Sequence, residues 1–172
     1  MFDKGYVFKG RHAEYVNDLT KSYDDDGHKL FTRNYDVYLL APVVGFLYQR
    51  KAEPDQNGDF RTSILPDILM KNSDDLMFNF RLVMILDKKA EPDPEKRIDK
   101  AFKGENDDAD SELYDSYVLG GVEVLYEKLM QNVNTSEEYT SRLFDFIEEF
   151  DQRYNQKVDM NSLLDLCRQI KA

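Results

Sequence analysis

Hydrophobic positions recur at helical spacing along most of the chain. From Arg11 to about Tyr23 the apolar residues Ala13, Tyr15, Val16 and Leu19 fall three and four apart, which predicts a first helix. The run Asp24-Asp25-Asp26-Gly27 ends it. Tyr35 to Tyr48 is apolar on almost every side, so this segment predicts a helix surrounded by others. Thr32 is its expected N-cap, with Asp36 in the first turns. Pro42 removes one backbone hydrogen bond, which predicts a two-part helix kinked there, and Gly45 offers a place for close backbone approach. A third helix is expected from a cap at Asn72 or Ser73, with Asp74 and Asp75 in its first turn and a body, Leu76 to Leu86, as apolar as the second.

The remaining pattern is more amphipathic. Pro94 suits the first turn of a short helix running to about Phe102. Ser111 to Asn132 reads as a long helix striped by Leu113, Tyr117, Val118, Val122, Leu125 and Leu129. Gly120 and Gly121 each cost about 1 kcal/mol in a helix relative to Ala, so they imply tight packing or a local break. Thr135 or Ser136 with Glu138 predicts the cap of a helix whose buried face holds Tyr139, Leu143, Phe144, Phe146, Ile147 and Phe150. Leu163, Leu164, Leu166, Cys167 and Ile170 suggest a last short helix. Strand signals are few. Gly5 to Phe8 reads as a strand or extended arm, and Asn57-Gly58 leaves a small hairpin within 55–70 open. The expected fold class is therefore mainly α: a single-domain bundle of five to six helices around two apolar central helices, with at most a small β element. One helical domain spans 1–172, and the acidic loop at 103–111 is where a C-terminal helical subdomain could part from it.

Composition sharpens this reading. With 172 residues, eleven Tyr and eleven Phe, the chain can bury an aromatic core without a staple. Its single cysteine, Cys167, excludes an internal disulfide and fits a reducing, cytoplasmic setting. No apolar run suggests a signal peptide or membrane span. The net charge of −11 is uneven: residues 1–86 carry thirteen acids and eleven bases, residues 87–172 twenty-one acids and twelve bases. Such a carboxyl-terminal half repels phosphate and attracts basic partners. The acids Glu137, Glu138, Glu148, Glu149 and Asp151 are the candidate partner-binding set. The basic residues Lys9, Arg11, Lys21, Lys29, Arg33, Arg50 and Lys51 are the one place where nucleic acid could bind; otherwise they simply solubilise helix ends.

Catalytic signatures are missing. There is no phosphate-binding loop, dinucleotide glycine motif, zinc spacing or nucleophile elbow. His12 and His28 read as surface histidines and Cys167 as a core thiol. Placing Gly27 or Gly58 at the sixth position of a calcium loop puts Arg33 or Ile64 where the bidentate acid belongs, so neither loop fits. No metal, cofactor or enzymatic activity is expected. A helical hydrolase using His12 or Asp36 ranks last.

Three stretches carry a resemblance. "GRHAEYVNDLT", "LFTRNYDVYLLAPVVGFLYQRK" and "ELYDSYVLGGVEVLYEKL" resemble small proteins encoded beside bacterial DNA phosphorothioation (dnd) genes. The matching positions are Phe31, Thr32, Asp36, Ala41, Gly45, Tyr117, Gly120, Gly121 and Leu125, within residues 11–51 and 112–129. Pro42 and the acidic tail after Glu137 depart from the family's pattern. The resemblance implies an accessory role in anti-phage modification or restriction and brings no catalytic residues. The expectation is a non-enzymatic interaction subunit of a bacterial defence or DNA-processing complex. It would dock a larger subunit, an ATPase or nuclease, through the acidic carboxyl-terminal surface. The alternative is a small nucleic-acid-binding or regulatory protein using the basic amino-terminal surface.

Overall fold

A computed structural model describes residues 2–55, 58–103 and 108–154. In chain order the elements are β1 (Tyr6–Lys9), α1 (Gly10–Thr20), α2 (Asn34–Leu47), β2 (Arg61–Ile64), α3 (Pro66–Lys71), α4 (Ser73–Leu86), α5 (Pro94–Phe102), α6 (Asp108–Leu129) and α7 (Ser136–Tyr154). The fold is mainly α with one small antiparallel sheet, as the sequence pattern predicts. The expected last helix, with Cys167, lies outside the described residues.

Two helices form the centre, α2 and α6. Every residue of α6 from Tyr117 to Leu125 is buried, and the helix packs against α1, α2, α4 and α7. Glycine permits this. A Cβ built on Gly121 would fall 1.8 Å from the Ala41 carbonyl oxygen, and one on Gly45 would fall 2.1 Å from the Tyr117 carbonyl oxygen. Both neighbours are backbone and cannot swing aside, so no side chain fits at either position. The glycines in both helices thus mark close packing rather than a break. Val37, Ala41, Val44, Val118, Val122 and Leu125 fill the rest of the seam. Burying a side chain of this size contributes about 1.5–3 kcal/mol.

The second central helix is therefore α6, whereas the pattern at 76–86 pointed to α4. Helix α4 buries Leu76, Asn79, Phe80, Val83 and Met84 but leaves Phe78 65% exposed and Leu86 46% exposed. The expected buried face of α7 is also only partly buried. Tyr139 is buried, Leu143, Phe146 and Phe150 are half-buried, and Phe144 and Ile147 lie outward.

Local chemistry explains the helix ends. The cap of α2 is Arg33 rather than Thr32: Asp36 accepts the Arg33 backbone N–H at 2.9 Å and pairs with its guanidinium at 2.8 Å. The chain stays helical across the buried Pro42. At the far end, Gln49 adopts a left-handed φ of 54°. Arg50 N–H then donates to Gly45 at 2.9 Å and Gln49 N–H to Phe46 at 3.0 Å, closing the last carbonyls. Helix α6 includes Asp108 and Asp110, one turn before the expected start at Ser111. At α7 the expected box is present: Thr135 Oγ1 accepts the Glu138 N–H at 3.2 Å while Glu138 accepts the Asn134 and Thr135 N–H groups at 2.8 and 3.3 Å.

No local hairpin forms among the described residues of 55–70. Instead β2 pairs antiparallel with the distant β1, with Tyr6 opposite Ile64 and Lys9 opposite Arg61. Pro66, which blocks a longer strand, starts α3.

Candidate functional site

The polar groups of the molecule gather along α6. The turn after α2 crosses this helix where Gly120 has no side chain: a Cβ there would fall 2.1 Å from the Arg50 carbonyl oxygen. Ala52 N–H donates to the Ser116 carbonyl at 3.0 Å and fixes the crossing. Arg50 and Lys51 are thereby aimed at opposite parts of α6. Arg50 reaches Glu127 at 2.9 Å and Glu123 at 3.8 Å. Lys51 sits 4.6 Å from the centre of the Tyr117 ring and 3.6 Å from Asp87.

Glu123 is the first focus. Arg11 of α1 approaches it at 2.8 Å and His12 Nε2 at 3.3 Å. His12 is wholly buried, which corrects the expectation of a surface histidine. Residues 10, 13, 16 and 19 bury the same face of α1, and His12 turns inward with them because Glu123 waits there. Burial pulls the imidazole below its usual range and outweighs the opposing pull of Glu123. His28, by contrast, is exposed and pairs with Asp24 at 2.6 Å.

Asp87 is the second focus. Its buried carboxylate accepts the Tyr117 hydroxyl at 2.7 Å and the Lys89 and Ala90 amides at 3.1 and 3.0 Å. Burial alone would raise its pKa; the Tyr117 hydroxyl, the two amides and Lys51 outweigh that and hold it below the usual carboxylate range. Both foci tie elements together. Neither presents an unpaired nucleophile to solvent.

The basic residues proposed for nucleic acid are dispersed and largely engaged. Arg11 and Arg50 face acids of α6, Lys51 faces Asp87 at the end of α4, Arg33 faces Asp36, and Lys21 faces Asp18 at 2.8 Å. Lys9 lies on β1 opposite Arg61, and Lys29 bridges to Ser22 in the loop after α1. Charge already neutralised within the protein releases fewer counterions from a phosphate backbone. Asp36 serves as a cap, and no contact among the described residues brings it to His12.

The acidic set divides into two groups. Glu138 is taken up by the α7 cap. Glu149 turns inward: Lys128 donates to it at 2.6 Å and the Tyr48 hydroxyl at 3.1 Å. The Lys128 hydrogen bond leads in holding its carboxyl below the usual range. Glu137, Glu148 and Asp151 are exposed. They lie seven before, four after and seven after Phe144, and Ile147 lies three after it, so all five share one stripe of α7. Phe144 is 67% and Ile147 57% exposed. The sequence reading missed this stripe because it assigned both apolar residues to the core.

Asp24, Asp26 and His28 are the one group among the described residues whose ligand atoms converge enough for a metal ion. It lies in an exposed loop. No helix of the described residues is long and apolar enough to cross a membrane. No family model, no curated protein and no solved structure matches this chain.

Proposed function

We propose that this protein is a non-catalytic interaction subunit that docks a larger protein through the outward stripe of α7. The observation that carries the reading is the pairing of Phe144 and Ile147, both exposed, with Glu137, Glu148 and Asp151 on one helix face. An aromatic and an aliphatic anchor flanked by carboxylates is the surface expected to seat in an apolar groove rimmed by Lys or Arg. Glu138 folds into the α7 cap and Glu149 turns inward to Lys128, so the docking set is the three acids and two apolar residues that share the outward stripe. The resemblance to dnd-associated proteins supports a bacterial defence or DNA-processing complex as the setting and an ATPase or nuclease subunit as the partner. Co-expression with the products of neighbouring genes, followed by native mass measurement, tests the reading. A stable complex is expected that weakens with salt and is lost in Phe144→Ser/Ile147→Ser and in Glu148→Lys/Asp151→Lys. A complex that persists in both variants removes α7 as the docking face.

A further inference from the structure

A cleft of about 470 Å³ lies between the amino-terminal strand and the first turns of α6. Phe2, Tyr6 and Tyr38 supply its aromatic wall, and Asp3, Asp108 and Asp115 bring carboxylates. Lys4 is the one basic residue among those lining it. The Tyr6 and Tyr38 rings lie 4.6 Å apart, tilted by 44°. Tyr38 is only 2% exposed, yet no hydrogen bond to its hydroxyl is found among the described residues.

Asp115 is the exception among the inward acids of this region. Asp87 has Tyr117, two amides and Lys51; Asp110 has Lys100 at 2.7 Å; Glu123 has Arg11 and Arg50. Asp115 has no hydrogen bond or ion pair among the described residues. Burial, aided by Glu112, pushes its carboxyl up to about 7. The hydroxyls of Tyr6, Tyr38 and Tyr114 feel its charge, and the Tyr114 hydroxyl is itself buried without a partner. Lys4 acts on Asp3 rather than on Asp115, so what Asp115 lacks is a cation of its own. A metal ion would need several oxygen ligands converging on one point, and no such cluster forms in the cleft among the described residues. An organic cation needs less: a carboxylate at one end and aromatic faces for the rest. The net charge of −11 also concentrates cations near the surface.

We propose that this cleft binds an alkyl ammonium or guanidinium group, with the charge at Asp115 and the alkyl portion against Tyr6 and Tyr38. The group can belong to a free diamine or to a lysine or arginine side chain. The site is separate from the α7 stripe, and either can fail without the other.

The test is calorimetric titration of the full chain with putrescine, agmatine and an acetylated lysine amide, with 1,4-butanediol as the neutral counterpart. Tyrosine ring resonances report the location. The cations should bind and shift the Tyr6 and Tyr38 signals, while the diol should do neither. Asp115→Asn should weaken binding about tenfold, the loss of one hydrogen bond to a charged group. Ser111→Arg, which places a cation on the cleft wall, should abolish it and serves if Asp115→Asn fails to fold. Tighter binding of putrescine or agmatine identifies a free cation as the occupant, and tighter binding of the lysine amide a side chain. Equal heats for cation and diol, or binding unchanged in both variants, overturn the proposal.

Discussion

Helices α4 and α6 are both rich in apolar residues, α4 on nearly every side and α6 along a stripe, yet the striped helix is the one the fold buries. From Tyr117 to Leu125 every residue of α6 is buried, while α4 presents Phe78 and Leu86 to solvent. Greasiness alone does not decide which helix is central. Small residues do, because they let two backbones approach until the side chains around them close the gaps. Helix α6 meets α2 through Gly121 and Gly45 and meets the following turn through Gly120; α4 contains no glycine and stands further out.

Two phenylalanines of α4, two positions apart, give the largest test of this contrast. Phe80→Ala should destabilise by about 3–5 kcal/mol in urea unfolding, whereas Phe78→Ala should cost less than about 1 kcal/mol. Equal losses would make α4 central after all. Next comes the seam: Gly121→Ala adds a methyl group against the Ala41 backbone and should cost about 3 kcal/mol, with Ala41→Gly giving little rescue because the clash is with a carbonyl.

The third test concerns Asp115 and runs the other way. Its folded pKa of about 7 stands above the ordinary 3.8, so between pH 4 and 7 the folded state holds the proton that the unfolded chain has lost. Stability from this group therefore declines as pH rises through that window and is gone above it. Asp115→Asn should be more stable than the parent by about 1 kcal/mol at pH 8, after discounting for partial exposure, with the gap closing toward pH 4. Thermal melts at the two pH values measure it. The smallest effect belongs to α7. Phe144→Ser and Ile147→Ser should each shift stability by no more than about 0.5 kcal/mol while removing partner binding. A large loss of stability would return both residues to the core.

Much of the helical framework was legible before the structure. Pro94 marked the start of α5, Thr135 and Glu138 the start of α7, and Gly45 a place of close backbone approach, while Gly120 and Gly121 left tight packing and a local break both open. These signals are local or depend on a single residue type. Partner choice was not legible. Periodicity reports that a face is apolar, not what covers it, so Phe78, Phe144 and Ile147 were placed in the core. The inward turn of His12 depends on Glu123, more than one hundred residues away, and the β1–β2 pairing on segments separated by two helices. The cleft at Asp115 was invisible for the same reason: its carboxylates and rings come from the amino-terminal strand, α2 and α6.

That strand pairing bears on the order of events during folding. Joining Tyr6 to Ile64 closes a loop of nearly sixty residues, so the ribbon cannot zip until α1 and α2 have doubled back. The glycine seam between α2 and α6 spans a still longer separation but gains far more contact once made. Collapse around α6 should come first and the ribbon last, making the amino-terminal strand the latch that completes the native state; pulse-labelled hydrogen exchange would show its amides protected after those of α6.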